Sequence, residues 1–243
     1  GLLAAALVGL LMGLAMSFVS VSLKAEQGVS GIGLYMFGLG MSSLLFKVLI
    51  GTVKTVQGFQ PIAIPLLSSI PFAGAIFFNN NILVYCAFLL VPLAWVVLEK
   101  TTLGLKIKAV GQNPAAADSL GISVTGIRYL SVCVGAVLAG IAGASLSISL
   151  LNLFQDDLTA GQGFIAVALV YFGGWSPWGV LGGALLFSVV NSIQLWMQVL
   201  NVKIPSSIAV MLPYLLTIAA LTVTANRAKQ PAALNKPFER GES

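Results

Sequence analysis

Apolar residues in this chain run in long unbroken blocks, without the alternation of a half-buried strand or the single stripe of a surface helix. Blocks of about 20 such residues are the length that crosses the hydrocarbon of a bilayer. Gly1 to Leu23 holds no charge, and as a helix it would rise about 34 Å. It reads as a span and not as a signal peptide, since no basic flank precedes it and no small-residue cleavage site follows. The polar break Lys24-Ala25-Glu26 separates it from a second uncharged run, Gln27 to Phe46.

From Thr55 to Leu98 the chain is again uncharged, but Pro61, Pro65 and Pro71 argue against continuous helix and Asn79-Asn80-Asn81 is a polar stop. Residues 51 to 81 therefore read as an external loop with short re-entrant or interfacial pieces. A third span is predicted over Ile82 to Leu98, kinked by Pro92. A fourth covers Tyr129 to Leu151, with Asp156-Asp157 at its exit. Phe164 to Leu200 is too long for one crossing, and Gly173-Gly174-Trp175-Ser176-Pro177-Trp178-Gly179 breaks it into two. Ser206 to Ala225 is the last span. The expected architecture is all-α, a polytopic transmembrane helical bundle of about seven spans. Residues 1–225 form the membrane domain, 99–128 a polar connection inside it and 226–243 a polar tail.

Composition agrees with a membrane solvent. Of 243 residues, 58% are hydrophobic and 8% charged, against about 25% charged in soluble domains. The chain has no His and only Cys86 and Cys133, which excludes His-based catalysis, a Cys/His metal cluster and a disulfide framework. Its net charge of +5 is explained by membrane orientation without invoking nucleic acid. Lys24, Lys100, Lys106, Lys108, Arg128, Arg227, Lys229, Lys236 and Arg240 fall on one side of the predicted topology. Lys54 and Lys203 fall on the other, with Lys47 near that end. The positive-inside rule then makes the 99–128 connection and the tail cytoplasmic. Seven crossings put Gly1 outside, so leading spans are expected to precede this chain.

Lipid provides no apolar driving force between helices, so small residues that allow close backbone approach mark the packing faces. One helix carries Gly135, Ala139, Gly143 and Ser147 in a stripe, with Ala136, Gly140 and Ala144 beside it. Another carries Ala5, Gly9, Gly13 and Ser17. The pattern reads first as the static packing of a helical bundle, and second as a sliding contact between helices that rearrange.

Gly111-Gln112-Asn113-Pro114-Ala115-Ala116-Ala117-Asp118-Ser119-Leu120-Gly121-Ile122 is a short helix with both ends encoded. Asn113 caps it, Pro114 suits its first position, three alanines favour it and Gly121 permits a left-handed stop. About two turns cannot span a membrane, and carry little apolar surface of their own. Such a helix either orders a surface loop or offers its small-residue face to a groove on a partner.

That segment resembles the cytoplasmic coupling motif of permeases in ATP-binding-cassette importers for simple sugars, branched-chain amino acids and nucleosides. Leu103-Gly104-Leu105, Arg128-Tyr129-Leu130, the run Gly135 to Ala144, Thr159 to Ala166 and Phe172 to Pro177 follow the same family order. Ile204-Pro205-Ser206-Ser207, Met211 to Leu215 and the tail Pro231 to Glu242 are similar to the nucleoside branch. So is Lys24 to Gly31, apart from Glu26 and Gly28. The resemblance implies that Gly111, Asn113, Pro114, Ala115, Ala116, Ala117, Asp118 and Gly121 couple this subunit to a separate ATPase that hydrolyses ATP with Mg. It also implies a second permease subunit, identical or not, an extracellular substrate-binding lipoprotein and a bacterial plasma membrane. The chain has no G-x-x-x-x-G-K-[ST] loop of its own, so no catalytic residue, cofactor or metal site is assigned to it.

Rival mechanisms make different demands. An ion-coupled carrier needs ionisable groups at depth, and Glu26 is the one acid that a broken helix could draw inward. A channel can be lined by Ser, Asn, Gln and backbone alone. Candidate pathway residues are Gln27, Ser30, Gln162, Phe164, Asn191, Gln194 and Gln198. The last three share one helical face at spacings of three and four. Amides with Phe164 or Trp196 as stacking surfaces suit an uncharged polar ligand such as a nucleoside, while amide hydrogen bonding between helices would use the same residues. The reading is a nucleoside importer permease working by alternating access. The alternatives are a simple-sugar permease of the same family, an ion-coupled carrier or a channel.

Overall fold

The computed structural model describes residues 1–55, 58–60, 62–63, 79–200, 211, 215, 218, 222 and 230–239. Five helices among them are long and apolar enough to cross a membrane: α1 (Leu2–Ser22), α2 (Gln27–Ile50), α3 (Ile82–Lys100), α6 (Val124–Leu151) and α8 (Pro177–Val199). Shorter helices are α4 (Thr102–Gln112), α5 (Pro114–Ser119) and α7 (Gln162–Phe172). The chain divides into two compact units. The first holds 1–89, 101–160 and 232–243, the second 90–100 and 161–231.

In the first unit α1 and α6 pack antiparallel through their small residues. A Cβ on Gly9 would stand 2.5 Å from the Ala136 carbonyl oxygen, and one on Gly13 2.7 Å from the Ala136 Cβ. Such spacing lets the backbones meet directly, which is how helices associate where apolar burial supplies no force. Only part of the predicted α6 face takes part. Gly135 and Gly143 have nothing within 4 Å of an added Cβ, so the contact with α1 runs along Ala136 and Gly140, and these two glycines of the neighbouring stripe take no part in it. Ser17 is fully buried in this seam and turns its hydroxyl back to the Gly13 carbonyl at 2.7 Å, which satisfies a polar group that lipid would not.

The two ends of this unit differ chemically. At one end Glu26 caps α2 by accepting hydrogen bonds from the Gly28 and Val29 amides at 3.0 and 2.8 Å, and Ser22 hydrogen-bonds Tyr129. At the other, Ser43 hydrogen-bonds Asp156, and two-residue antiparallel ladders pair Lys54 with Phe154 and Ile62 with Asn80. The described part of 51–81 thus contains short ladders; the remainder of that predicted loop lies outside the described residues.

Three expected boundaries change. The fourth span begins at Val124, not Tyr129, because Ser123 accepts from the Gly126 amide at 3.2 Å and starts the helix early. A separate helix, α4, occupies Thr102–Gln112, capped by Thr101. In the second unit, α7 is a shorter apolar helix of 11 residues, with a rise of about 17 Å against a bilayer core of about 30 Å. The predicted span at 206–225 lies outside the described residues. The described helices therefore number five candidate spans where seven were expected.

The break between α7 and α8 is a tight turn. A Cβ on Gly179 would stand 2.0 Å from the Gly173 carbonyl oxygen, and Trp175 takes a positive φ of 59° with its ring edge-on to Tyr171 at 5.2 Å between centroids.

Candidate functional site

The chemistry-bearing end of the first unit is built around α5. Asn113 Oδ1 accepts from the Ala116 amide at 3.0 Å, and Pro114 fills the first position where its missing N–H leaves nothing unpaired. The helix closes in a Schellman arrangement: the Gly121 amide donates to the Asp118 carbonyl at 2.9 Å and the Ile122 amide to the Ala117 carbonyl at 3.0 Å. Gly121 accomplishes this at a φ of 78°, the left-handed conformation in which a side chain would be strained.

The helix has an inner face seated in its own chain: Ala117 is 2% exposed within a cluster with Val110 and Val124, against which Ile122, Ile127 and Phe238 pack. Its inner face is thus anchored to α4, α6 and residue 238 of its own chain. The outer face remains open: Asn113, Ala115, Ala116, Ser119 and Leu120 are exposed, Leu120 at 80%. Of the predicted coupling residues, Gly111, Pro114 and Asp118 are half-buried and Gly121 is exposed.

The 232–239 segment lies along the same end. The Ala233 amide donates to the Gly111 carbonyl at 3.0 Å, the Ala232 amide to Gln112 Oε1 at 3.4 Å, and the Arg128 guanidinium to the Lys236 carbonyl at 2.9 Å. Lys24 Nζ pairs with Glu239 Oε1 at 2.5 Å, both side chains about two-fifths exposed; an exposed pair of this kind stabilises by about 0–1 kcal/mol. Between the segment and α5 lies an open groove of about 560 Å³, lined by residues that include Asn113, Pro114, Ala115, Ala233 and Phe238. Nothing in the sequence beyond the likeness of its tail marked Phe238 as a packing residue.

The candidate pathway residues divide between the units. Gln27 and Ser30 are half-buried on the first turn of α2, in the unit that contains Lys24 and Glu239, with Ser30 Oγ donating to the Glu26 carbonyl at 2.7 Å. In the second unit Gln162 and Phe164 are exposed at the start of α7. On α8, Asn191 is exposed whereas Gln194 is 9% exposed, and Gln198 continues the same backbone face. Lys100 lies 5.5 Å over the Trp95 ring near the end of α3, an amphipathic pair suited to a membrane–water boundary. Among the described residues no group of three or more Cys, Asp or Glu gathers into a metal site.

Residues 1–221 match the family model described as branched-chain amino acid transport system, permease component. The chain is similar to the guanosine ABC transporter permease protein NupQ of Bacillus subtilis, at 37% identity over 99% of this chain and 77% of that one. It is 36% identical to the nucleoside ABC transporter permease protein NupC of Lactococcus lactis, over 94% of this chain and 74% of that one. It is also 34% identical to the putative glucose ABC transporter permease protein TsgC13 of Haloferax volcanii, over 96% and 80%. No solved structure matches it.

Proposed function

The chain belongs to the family of branched-chain amino acid transport system permease components, and from that membership we propose that it is the membrane subunit of an ATP-driven nucleoside importer. It is a multi-pass plasma-membrane protein whose spans form part of a solute path opened alternately to the two sides. Permease relatives named for guanosine and nucleosides match nearly the whole chain, which supports the choice of nucleoside. The relative named for glucose keeps a simple sugar as the second reading.

The observation that carries the mechanism is α5, gripped on one face and open on the other. A helix with caps at both ends and Ala117 sealed in its own chain moves with α4 and α6 as a body, while Ala115, Ala116 and Leu120 present small and apolar surface for a separate subunit. In this reading the partner is an ATPase that binds ATP and Mg, and its closure pushes α5. The same end collects Lys24, Lys106, Lys108 and Arg128, so the positive-inside rule places it in the cytoplasm. A second permease subunit completes the path and an extracellular binding protein delivers the solute. About seven spans complete the membrane domain in this reading, with the block holding α7 counted as one and 206–225 as the last.

Co-expression with the ATPase subunits, reconstitution into liposomes and measurement of tritiated guanosine and glucose uptake test the reading. Guanosine uptake that requires ATP, and that disappears when 113–120 is deleted while the protein still inserts, is the expected result. Uptake driven by an ion gradient without nucleotide would refute it.

A further inference from the structure

Residues 238 and 239 are consecutive, yet they grip different parts of the first unit. The Phe238 side chain packs into the cluster that seats Ala117 of α5. The Glu239 carboxylate holds Lys24, two residues from the cap of α2 and in the short break between α1 and α2. Lys24 itself sits at a φ of 56°, so the break is a sharply bent joint. Upstream the segment is fastened by three further hydrogen bonds, to Gly111, Gln112 and Arg128. A chain tied at five points is a strut, and its last two grips, on Phe238 and Glu239, are separated by a single peptide bond, which has little freedom to stretch.

Resting on the coupling role assigned to α5, we propose that the 232–239 segment is a mechanical tie that carries displacement of α5 to the joint between α1 and α2, with Phe238 and Glu239 as positioning residues. α5 contacts α6 directly, but α1 and α2 join on the far side of the Lys24–Glu239 pair. Without the tie, a push on α5 reaches that joint through α6 alone, by the α1–α6 seam and the Ser22–Tyr129 hydrogen bond. The exposed ion pair is too weak to serve chiefly as an anchor; its use is to fix where the strut ends. Reversing both charges would therefore preserve its action, and reversing one would not.

The full chain is assembled with its ATPase subunits in liposomes, and uptake of the solute that the unaltered complex imports, guanosine or glucose, is divided by ATP hydrolysed. Removal of 232–243, and separately Phe238→Ala, is expected to leave assembly and hydrolysis in place while uptake per ATP falls roughly two- to thirtyfold, the range for disrupted coupling networks. Lys24→Glu and Glu239→Lys should each lower the ratio, and the double reversal should restore it. Unchanged uptake per ATP in the shortened chain, or a double reversal no better than its single parents, overturns the tie. Should the shortened chain fail to insert, the charge-reversal series decides. Ala116→Arg, on the exposed face of α5, separates the two ideas. If it uncouples transport while the tail variants do not, only the tie is lost. If it transports normally, the coupling role of α5 is lost.

Discussion

The backbone of Gly140 passes so close to Ala5 that an added Cβ would stand 2.5 Å from the Ala5 carbonyl oxygen. Nothing flexible occupies that gap, since the obstructing atom is main chain. The antiparallel seam of α1 and α6 is thus set by absent side chains, as expected where dispersion and close approach replace the hydrophobic effect.

Gly140→Leu should wedge the seam and destabilise the protein by about 1–3 kcal/mol, the usual cost of overpacking. Gly135→Leu, one helical face away with open space around it, should be nearly neutral. Thermal unfolding of the two purified variants in detergent compares them directly. Equal loss in both would mean that the seam lies elsewhere on α6.

Asn113→Ala removes the acceptor for the Ala116 amide and should cost about 1 kcal/mol of local stability. In a helix of six residues that is enough to fray the first turn. ATP-coupled uptake should drop severalfold, and Asn113→Asp, which keeps a capping oxygen, should retain most of it. An Asp variant as impaired as the Ala variant would point to a role other than capping.

Gly179→Ala places a Cβ 2.0 Å from the Gly173 carbonyl oxygen, so the α7–α8 turn must open. Loss of about 1–3 kcal/mol is expected, visible as a lower midpoint of thermal aggregation. Gly182→Ala, with nothing within 4 Å, is the control and should match the unaltered chain.

Gln194 is a buried candidate pathway residue, while Asn191 three positions earlier is exposed. If Gln194 contacts the solute, Gln194→Leu should raise the half-saturating concentration by about tenfold, in line with about 1.5 kcal/mol for a lost polar contact. A change in unfolding temperature with unaltered transport constants would instead assign it to helix packing.

The sequence made the apolar blocks legible because span length and lack of charge are local properties. The caps were legible for the same reason: Asn113, Pro114 and Gly121 each act within four residues of where they stand. Helix α4 escaped because Lys106 and Lys108 made 99–128 look like a polar loop, although Thr101 ahead of Leu103 and Leu105 was a usable start signal. The ends of α7 were legible too: it opens after Gly161, at a φ of 78°, and closes at Phe172 against the Gly173-Gly174 break, but counting the block before that break as a crossing overlooked that 11 residues fall short of a bilayer core. Which of two adjacent small-residue stripes meets α1 depends on the rotation of α6, and rotation is fixed by contacts between distant residues. Phe238 is the extreme case, since its neighbours Val110, Ala117 and Val124 share no sequence pattern with it.

That seat for Phe238 also sets an order of events during synthesis. Val110, Ala117 and Val124 leave the ribosome long before Phe238 does, so the small cluster must wait, incomplete, while the intervening helices enter the lipid. Nascent chains arrested before residue 238 should insert normally yet leave α5 open to protease, and protection should arrive only as that one aromatic ring emerges.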